Sequence, residues 1–370
     1  MTRVLITGGA GFIGSHATDV LLAAGYEVRL LDNLSPQVHG GNRQRPSYLA
    51  DEAELVVGDV TDSVAVEHAL RGADMVLHLA SAVGVGQSMY DIEPYVRTNE
   101  LGTAVLLQAL SRRPVERLVV ASSMSVYGEG LYRRPDQSVV ACDERSIEQL
   151  RRGEWELCDT AGHPLKPVPT PETKPPSLSS VYALNKFAQE RMCLITGKAY
   201  GIPTVALRFF NVFGPRQALS NPYTGVLAIF AARLLNGRPP LVFEDGEQRR
   251  DFVHVHDVAR ACRIALEAEH AQDVFNIGSG QSRSILSVAE DLAEVMGRRD
   301  ITPEITRKYR TGDIRHCFAD IGKSRDLLGF EPHMTFKDGL EELADYLADQ
   351  IADDQAERAT QELLQRGLVA

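Results

Sequence analysis

Tyr182 and Lys186 open a segment of helical apolar spacing and stand four residues apart, which puts the phenol and the ammonium on one helix face. A neighbouring cation favours phenolate over phenol and draws a tyrosine down from its reference of about 10. Such a tyrosine can take the proton of an alcohol while hydride leaves the same carbon. Two residues at this spacing describe equally well a buried tyrosine beside a surface lysine. Ser123 changes that balance, because it follows a strand-like run at 117–121, where a hydroxyl can share a hydrogen bond with a substrate and with the phenol. The three side chains then form a proton-transfer set.

A departing hydride needs an acceptor, and the N-terminus carries a cradle for one. Val4 to Thr7 is a short apolar strand, Gly8-Gly9-Ala10-Gly11 a glycine-broken turn, and Phe12, Ile13 and Gly14 begin a helix with apolar spacing at Ile13, Ala17, Val20, Leu21 and Ala24. Such a turn aims free backbone N–H groups and the positive end of a helix dipole at a pyrophosphate. Gly8 permits the turn, Gly11 lets backbone approach phosphate, and Gly14 lets the helix pack close. Asp32 ends the second strand, about twenty residues beyond the turn, as the dinucleotide fingerprint requires. Its carboxylate accepts from ribose hydroxyls and repels a 2′-phosphate, while Asn33-Leu34-Ser35 offers no arginine, so NAD is expected over NADP. Asp59, at the end of a strand at 54–57, suits an adenine amino group or the cap of a helix beginning near Thr61. Val60 adjoins it, and Leu79, Ala80 and Ser81 close the strand at 75–79 with small residues suited to a loop against a cofactor.

The elements around these residues alternate strand and helix: strands at 27–31, 54–57, 75–79, 117–121 and 203–209, helices at 93–112 and 180–200. That order predicts an α/β fold, a Rossmann-type doubly wound parallel sheet covered on both faces. Beyond 211 the elements shorten into a smaller mixed α/β domain, with helices at 226–235, 257–267, 286–296 and 336–348 and strands at 241–243, 252–255 and 274–277. The expected division is a nucleotide domain at 1–211, with 253–276 returning to it, a substrate domain at 212–350, and a polar tail at 351–370 read as an exposed helix. Between 131 and 179 the pattern breaks. The run Pro164, Pro167, Pro169, Pro171, Pro175, Pro176 opposes a helix or a central strand, so this is an ordered surface insertion with a short helix near 147–152.

Thirty-nine Lys and Arg against 50 Asp and Glu leave a net charge of −11, which weighs against nucleic acid or anionic membrane as a partner. Five widely spaced cysteines without a CxxC pair, no signal peptide and no apolar run long enough to span a bilayer suit a soluble protein of the reducing cytoplasm. His254-Val255-His256-Asp257 offers two imidazoles on one strand face, but no third ligand follows and Asp257 reads as a helix cap, so no metal is expected.

In combination, the stretch Thr7 to Gly14, Ser122-Ser123-Met124-Ser125-Val126-Tyr127-Gly128, the Tyr182-to-Lys186 motif and Arg208-Phe209-Phe210-Asn211-Val212-Phe213-Gly214-Pro215-Arg216 resemble the extended short-chain dehydrogenase/reductase family, within it the nucleotide-sugar 4-epimerases. The resemblance runs from residue 2 to about 345, the insertion excepted. It implies Tyr182 as base, Lys186 tuning it and holding the nicotinamide ribose, Ser123 as hydrogen-bonding partner, and Asn99 in the cofactor site. It implies a nucleotide-diphosphosugar substrate, UDP- or dTDP-linked, with Ser125 and Val242 beside it, Asn211, Arg250 and Arg310 on the diphosphate and Asp313 near the nucleoside ribose. It also implies a homodimer through helices near 93–112 and 180–200.

Departures narrow the reaction. The 4,6-dehydratases carry an acidic pair directly after the active-site hydroxyl, where Met124 and Ser125 stand here, so epimerisation is favoured over elimination. Val83 replaces a lysine that some UDP-galactose 4-epimerases use near the cofactor phosphate, and Ala218 stands where uronate-specific relatives carry an arginine. Cys317 falls where a larger tyrosine narrows some hexose pockets, which suggests room for a bulky or deoxy sugar. The stretches 167–176 and 217–225 look most like those of dTDP-L-rhamnose 4-epimerases, with UDP-hexose and UDP-hexuronate substrates open.

Overall fold

A computed structural model describes residues 1–370 except 42, 220, 222–224, 311, 349 and 351–353. Seven parallel strands form the central sheet: β1 (Arg3–Thr7), β2 (Glu27–Asp32), β3 (Glu54–Val57), β4 (Met75–His78), β5 (Arg117–Ser123), β6 (Thr204–Phe209) and β7 (Val274–Ile277), in the order β7-β6-β5-β4-β1-β2-β3. Parallel strands need crossovers, and the helices supplying them are α1 (Phe12–Ala23), α2 (Gly102–Arg112), α3 (Val181–Tyr200) and later α5 (Val255–Glu267). Each face of the sheet therefore buries its own apolar layer. Val4, Ile6, Val119, Val205 and Phe275 pack against Ala17, Leu21 and Cys262 on one side, and Leu5, Val76, Val120 and Ala206 pack against Leu106, Leu110 and Cys193 on the other.

The second lobe gathers α4 (Val226–Leu235), α6 (Ile285–Val295) and α7 (Phe336–Leu347) around Phe213, Phe230, Phe252, Leu292, Phe336 and Leu340. Its sheet is small and mixed. Asn211–Phe213, expected as loop, runs parallel to Arg249–His254, which also pairs with Ser282–Ser284 and His316–Cys317. None of these strands is long enough to show a period of its own.

The insertion is ordered, with the expected helix at Ile147–Arg151 and a three-stranded antiparallel sheet of Leu131–Arg133, Val139–Ala141 and Lys166–Val168. Pro167 is accommodated because Lys166–Val168 is an edge strand. Buried charge holds the insertion to the second lobe. Arg145 makes a bidentate pair with Glu244, both bonds 2.8 Å, and fully buried Arg315 meets Glu244 at 3.0 Å and Asp245 and Glu156 from either side. Trp155 packs beside Tyr309, ring centroids 6.3 Å apart.

The tail departs from the expected exposed helix. The helix exists, as α8 (Ala356–Gln365), but Ala359, Leu363 and Val369 are buried and the chain ends paired to Tyr309.

Candidate active site

The turn after β1 is built by exclusion of side chains. Gly8 has φ +69°, and a Cβ there would lie 2.8 Å from Ala80 N; a Cβ on Gly14 would lie 2.7 Å from Gly9 Cα. The close packing that Gly14 permits is thus against the turn itself. Gly11 is different: a Cβ there meets nothing nearer than the Gly8 carbonyl at 3.4 Å, and the residue faces a cavity of about 530 Å³. That room is left for a ligand, at the N-terminus of α1, where Gly11 as N-cap supplies no side-chain acceptor. Asp32 lines the same cavity while its two oxygens accept from Ala10 N–H at 3.0 Å and Leu34 N–H at 2.9 Å, so the ribose acid also locks the turn. These residues fit NAD: an open phosphate cradle, and a buried carboxylate for the ribose.

Phe12, Ile13, Asn33, Val60, Leu79, Ala80 and Ser81 line the cavity, together with Val83 and Ala218. Asp59 and Asn99 do not. Asp59 accepts from Thr61 and from Asn33 Nδ2 at 2.9 Å, and although burial works to raise it, these bonds hold it below the usual carboxylate range. Nor is it the helix cap, a role taken by Asp62. Asn99 is fully buried and spends its amide on the neighbouring loop, accepting from Ala82 N–H at 2.7 Å and Ser81 Oγ at 3.1 Å and donating to Ala82 O at 3.1 Å. It positions Ser81 and Ala82, which do face the cavity.

At the other end of the cavity, β5 delivers Ser123 and the first two turns of α3 deliver Tyr182 and Lys186. Ser180 caps α3, and Tyr182 N–H donates to Ser88 Oγ at 3.0 Å. Ser123 accepts from Ser125 Oγ at 2.9 Å, so Ser125 supports the hydroxyl from behind, outside the cavity lining. Burial pushes the Tyr182 phenol up to about 12, opposed by its hydrogen bond with Ser123, and draws the Lys186 ammonium down to about 8. This corrects the expectation that Lys186 lowers Tyr182. Desolvation wins, and Lys186 Nζ donates instead to Gln189 Oε1 at 2.7 Å. Gln189 begins a buried polar chain through Thr103 at 2.9 Å and His78 to Thr7 at the foot of the glycine turn, which no short motif announces. The signal available was Gln189 itself, one turn beyond Lys186.

Of the residues expected on the substrate, Asn211 lines the cavity with its Oδ1 buried and unpartnered. Arg250 is engaged elsewhere: its guanidinium donates to the carbonyls of Arg249 and Arg315 at 3.0 Å and to that of Ile314, and Asp313 lies 3.5 Å away. Arg310 is freer. It stacks on Phe243 at 4.4 Å, its Nε is buried without a partner, and among the described residues it meets no carboxylate. Val242 is a core residue with no face on the cavity, and Cys317 is buried beside Met124, Tyr127 and Phe210 with its thiol 3.9 Å from Thr170 Oγ1 of the insertion. The space expected at Cys317 is thus occupied by protein. Of the stretch 217–225, likened to that of dTDP-L-rhamnose 4-epimerases, residues 220 and 222–224 lie outside the described residues, while Gln217, Ala218, Asn221 and Gly225 line the cavity.

The histidine pair also reads differently. Glu342 on α7 supplies the missing third group, 3.6 Å from His254 Nε2 and 3.5 Å from His256 Nε2. His254 Nδ1, not Asp257, caps α5 by accepting from His256 N–H, which leaves the proton on Nε2, facing Glu342. A metal at Nε2 would displace that proton and reverse the cap. Asp257 accepts from the His333 and Met334 N–H groups.

The sequence pattern of the NAD dependent epimerase/dehydratase family matches residues 4–147 and 158–278. The chain belongs to this family. Among its relatives, the dTDP-L-rhamnose 4-epimerase of Burkholderia thailandensis is 36% identical over 94% of this chain and 96% of its own. Among solved structures, the UDP-glucose 4-epimerase of Thermotoga maritima, with UDP-glucose, superposes with a TM-score of 0.77 at 30% identity, covering 94% of this chain and 99% of that one. The UDP-glucose 4-epimerase of Thermus thermophilus, complexed with NAD, gives 0.74 at 32% over 94% and 99%. NAD is the cofactor of this epimerase/dehydratase, and the residues between the two matched segments, 148–157, fall within the insertion. No helix among the described residues is long and apolar enough to cross a membrane.

Proposed function

We propose that the protein is an NAD-dependent nucleotide-diphosphosugar 4-epimerase. The observation that carries this reading is the pairing of Tyr182 with Ser123 in one cavity with the dinucleotide cradle, with no carboxylate at their side. Among the described lining residues the only acids are Asp32 at the ribose end and Asp91, which also borders the open cleft toward the tail. Elimination across adjacent carbons needs an acid and a base there; inversion at one carbon needs a single proton carrier.

In this reading Tyr182 takes the C4 hydroxyl proton through the hydrogen bond it shares with Ser123, and returns it after the sugar has turned over as a 4-ketone. NAD, when bound, supplies the hydride acceptor and gives the hydride back. Lys186, fixed by Gln189, keeps its positive charge at the same end of the cavity, and a bound positive nicotinamide would offset the desolvation that now holds Tyr182 protonated. Asn211 and Arg310 take the diphosphate. The expected folding units, a nucleotide domain at 1–211 with 253–276 and a substrate domain at 212–350, follow the same division of labour.

The Burkholderia relative favours a dTDP-linked 6-deoxyhexose. UDP-hexose and UDP-hexuronate form the second reading, favoured by the Thermotoga structure. Incubation with each nucleotide sugar, with C4 epimers resolved by NMR, tests the choice: interconversion of one pair is expected, and accumulation of a 4-keto-6-deoxy product would establish a dehydratase. Turnover of no sugar nucleotide would favour a non-catalytic NAD-binding protein. Exposed Ile92, Val96, Leu101, Leu184 and Ile195, on and beside the helices expected at the interface, support a homodimer, for which light scattering at micromolar concentration should give twice the chain mass.

A further inference from the structure

Residues 354–370 lie beyond the segments matched by the family, yet they touch three parts of the substrate side. Asp354 meets Arg233 at 3.4 Å and Arg238 at 3.3 Å on and after α4. Leu363, 7% exposed, covers Gly86, and Arg366 stacks on Tyr90 at 4.1 Å, while Glu362 receives the Tyr90 hydroxyl at 3.3 Å. Beyond α8, Val369 forms an isolated antiparallel bridge with Arg310. Tyr309 N–H donates to Ala370 O at 2.9 Å, and Ala370 N–H returns a bond to Tyr309 O at 3.1 Å.

Terminal segments are disordered unless something ties them down, and this one is tied in two places that bear on the site. One tie falls on loop 84–91, whose Ser88 hydroxyl accepts from the Tyr182 N–H. The other tie falls on Arg310, expected on the diphosphate by the family resemblance, whose Nε is buried and unpartnered. Among the described residues, the backbone of Tyr309 bonds to Ala370 alone.

We propose that residues 355–370 are a positioning clasp for the nucleotide-sugar site, with Val369 and Ala370 holding Arg310 on the diphosphate and Leu363 and Arg366 holding the loop that seats Tyr182. The clasp rests on the epimerase reading for its consequence in turnover, but its effect on nucleotide binding is independent of it. An unclasped chain keeps the glycine turn and the Asp32 bonds that lock it, and loses the order of the opposite end.

The test compares the full chain, a chain ending at Asp354, and the point variants Leu363→Ser and Val369→Asp. UDP and dTDP binding is measured by calorimetry, NAD binding by fluorescence, and KM and kcat on the accepted sugar nucleotide. Truncation should weaken binding of the preferred nucleotide, and raise KM, at least tenfold with NAD binding unchanged. Arg310→Ala should cost about as much, and in the truncated chain it should add little. A truncated chain that stays folded, binds NAD and binds the nucleotide within twofold of the full chain overturns the clasp. Should truncation unfold the chain, the point variants decide by the same ratios. Nucleotide binding that needs the tail, without turnover of any sugar, would retain the clasp and sink the epimerase reading; a full chain that binds neither nucleotide sinks both.

Discussion

The two halves of the cleft are built on opposite plans. At the cofactor end the decisive groups are close in sequence and satisfied by backbone: Asp32 is bonded to Ala10 and Leu34, and Asn99 to Ala82. At the substrate end they come from distant stretches and are held by charge. Glu244 joins Arg145 from the insertion and Arg315 from beyond 300, while Asn211 and Arg310 keep buried polar atoms without partners. A half built on local turns is complete before its ligand arrives. A half built on long-range pairs with orphaned polar atoms still has its ligand to satisfy.

The largest effect should come where the halves meet. Tyr182→Phe removes the proton carrier from a buried site, and kcat should fall at least about a thousandfold with NAD binding intact, read by steady-state turnover and cofactor fluorescence. Near-normal turnover would remove the base from the account.

The contrast in construction predicts a contrast in stability. Arg145→Ala leaves Glu244, fully buried, short of its bidentate partner, and such a loss typically costs about 3–5 kcal/mol, measured by urea unfolding. Exposed Arg152, whose partner Glu154 is equally exposed, should leave the urea midpoint unchanged when replaced by alanine. Equal costs would erase the distinction between buried and surface charge.

Acid should act on the fold through its buried histidines. Burial holds His16 and His254 down at about 4 and His78 at about 3. An unfolded chain takes up protons on these rings near pH 6.5 while the native rings stay neutral, so stability is full above that pH and falls as pH drops toward 4. Each ring contributes up to about 3 kcal/mol to that fall. His254→Asn, which keeps a cap for α5, should flatten the dependence between pH 6.5 and 4; an unchanged slope would exclude His254 from it.

The smallest effect concerns cofactor choice. Asp32→Ser should weaken NAD binding by about 1–2 kcal/mol and narrow the preference over NADP, by fluorescence titration.

The same contrast explains what was legible in the residues. The glycine turn, Asp32, the parallel strands and the set of Ser123, Tyr182 and Lys186 could be read because strand, turn and helix signals act over a few neighbours. Asn211–Phe213 could not, since three residues become a strand only by pairing with Arg249–His254. Cys317 and Val242 looked like pocket residues by position, and the fold buries both. The tail looked exposed because its polar residues outnumber Ala359, Leu363 and Val369, whose cover lies far back in the chain. The Tyr182 shift was misjudged because a spacing shows a cation but not the desolvation that outweighs it.

The central claim is that hydride leaves and returns to one carbon of one sugar. A nucleotide sugar carrying deuterium at C4, incubated to equilibrium with the intact chain, tests it directly by NMR and mass spectrometry. Both C4 epimers should be present with the label retained at C4; loss of deuterium to solvent, or its transfer to C6 in a 4-keto product, would contradict the account.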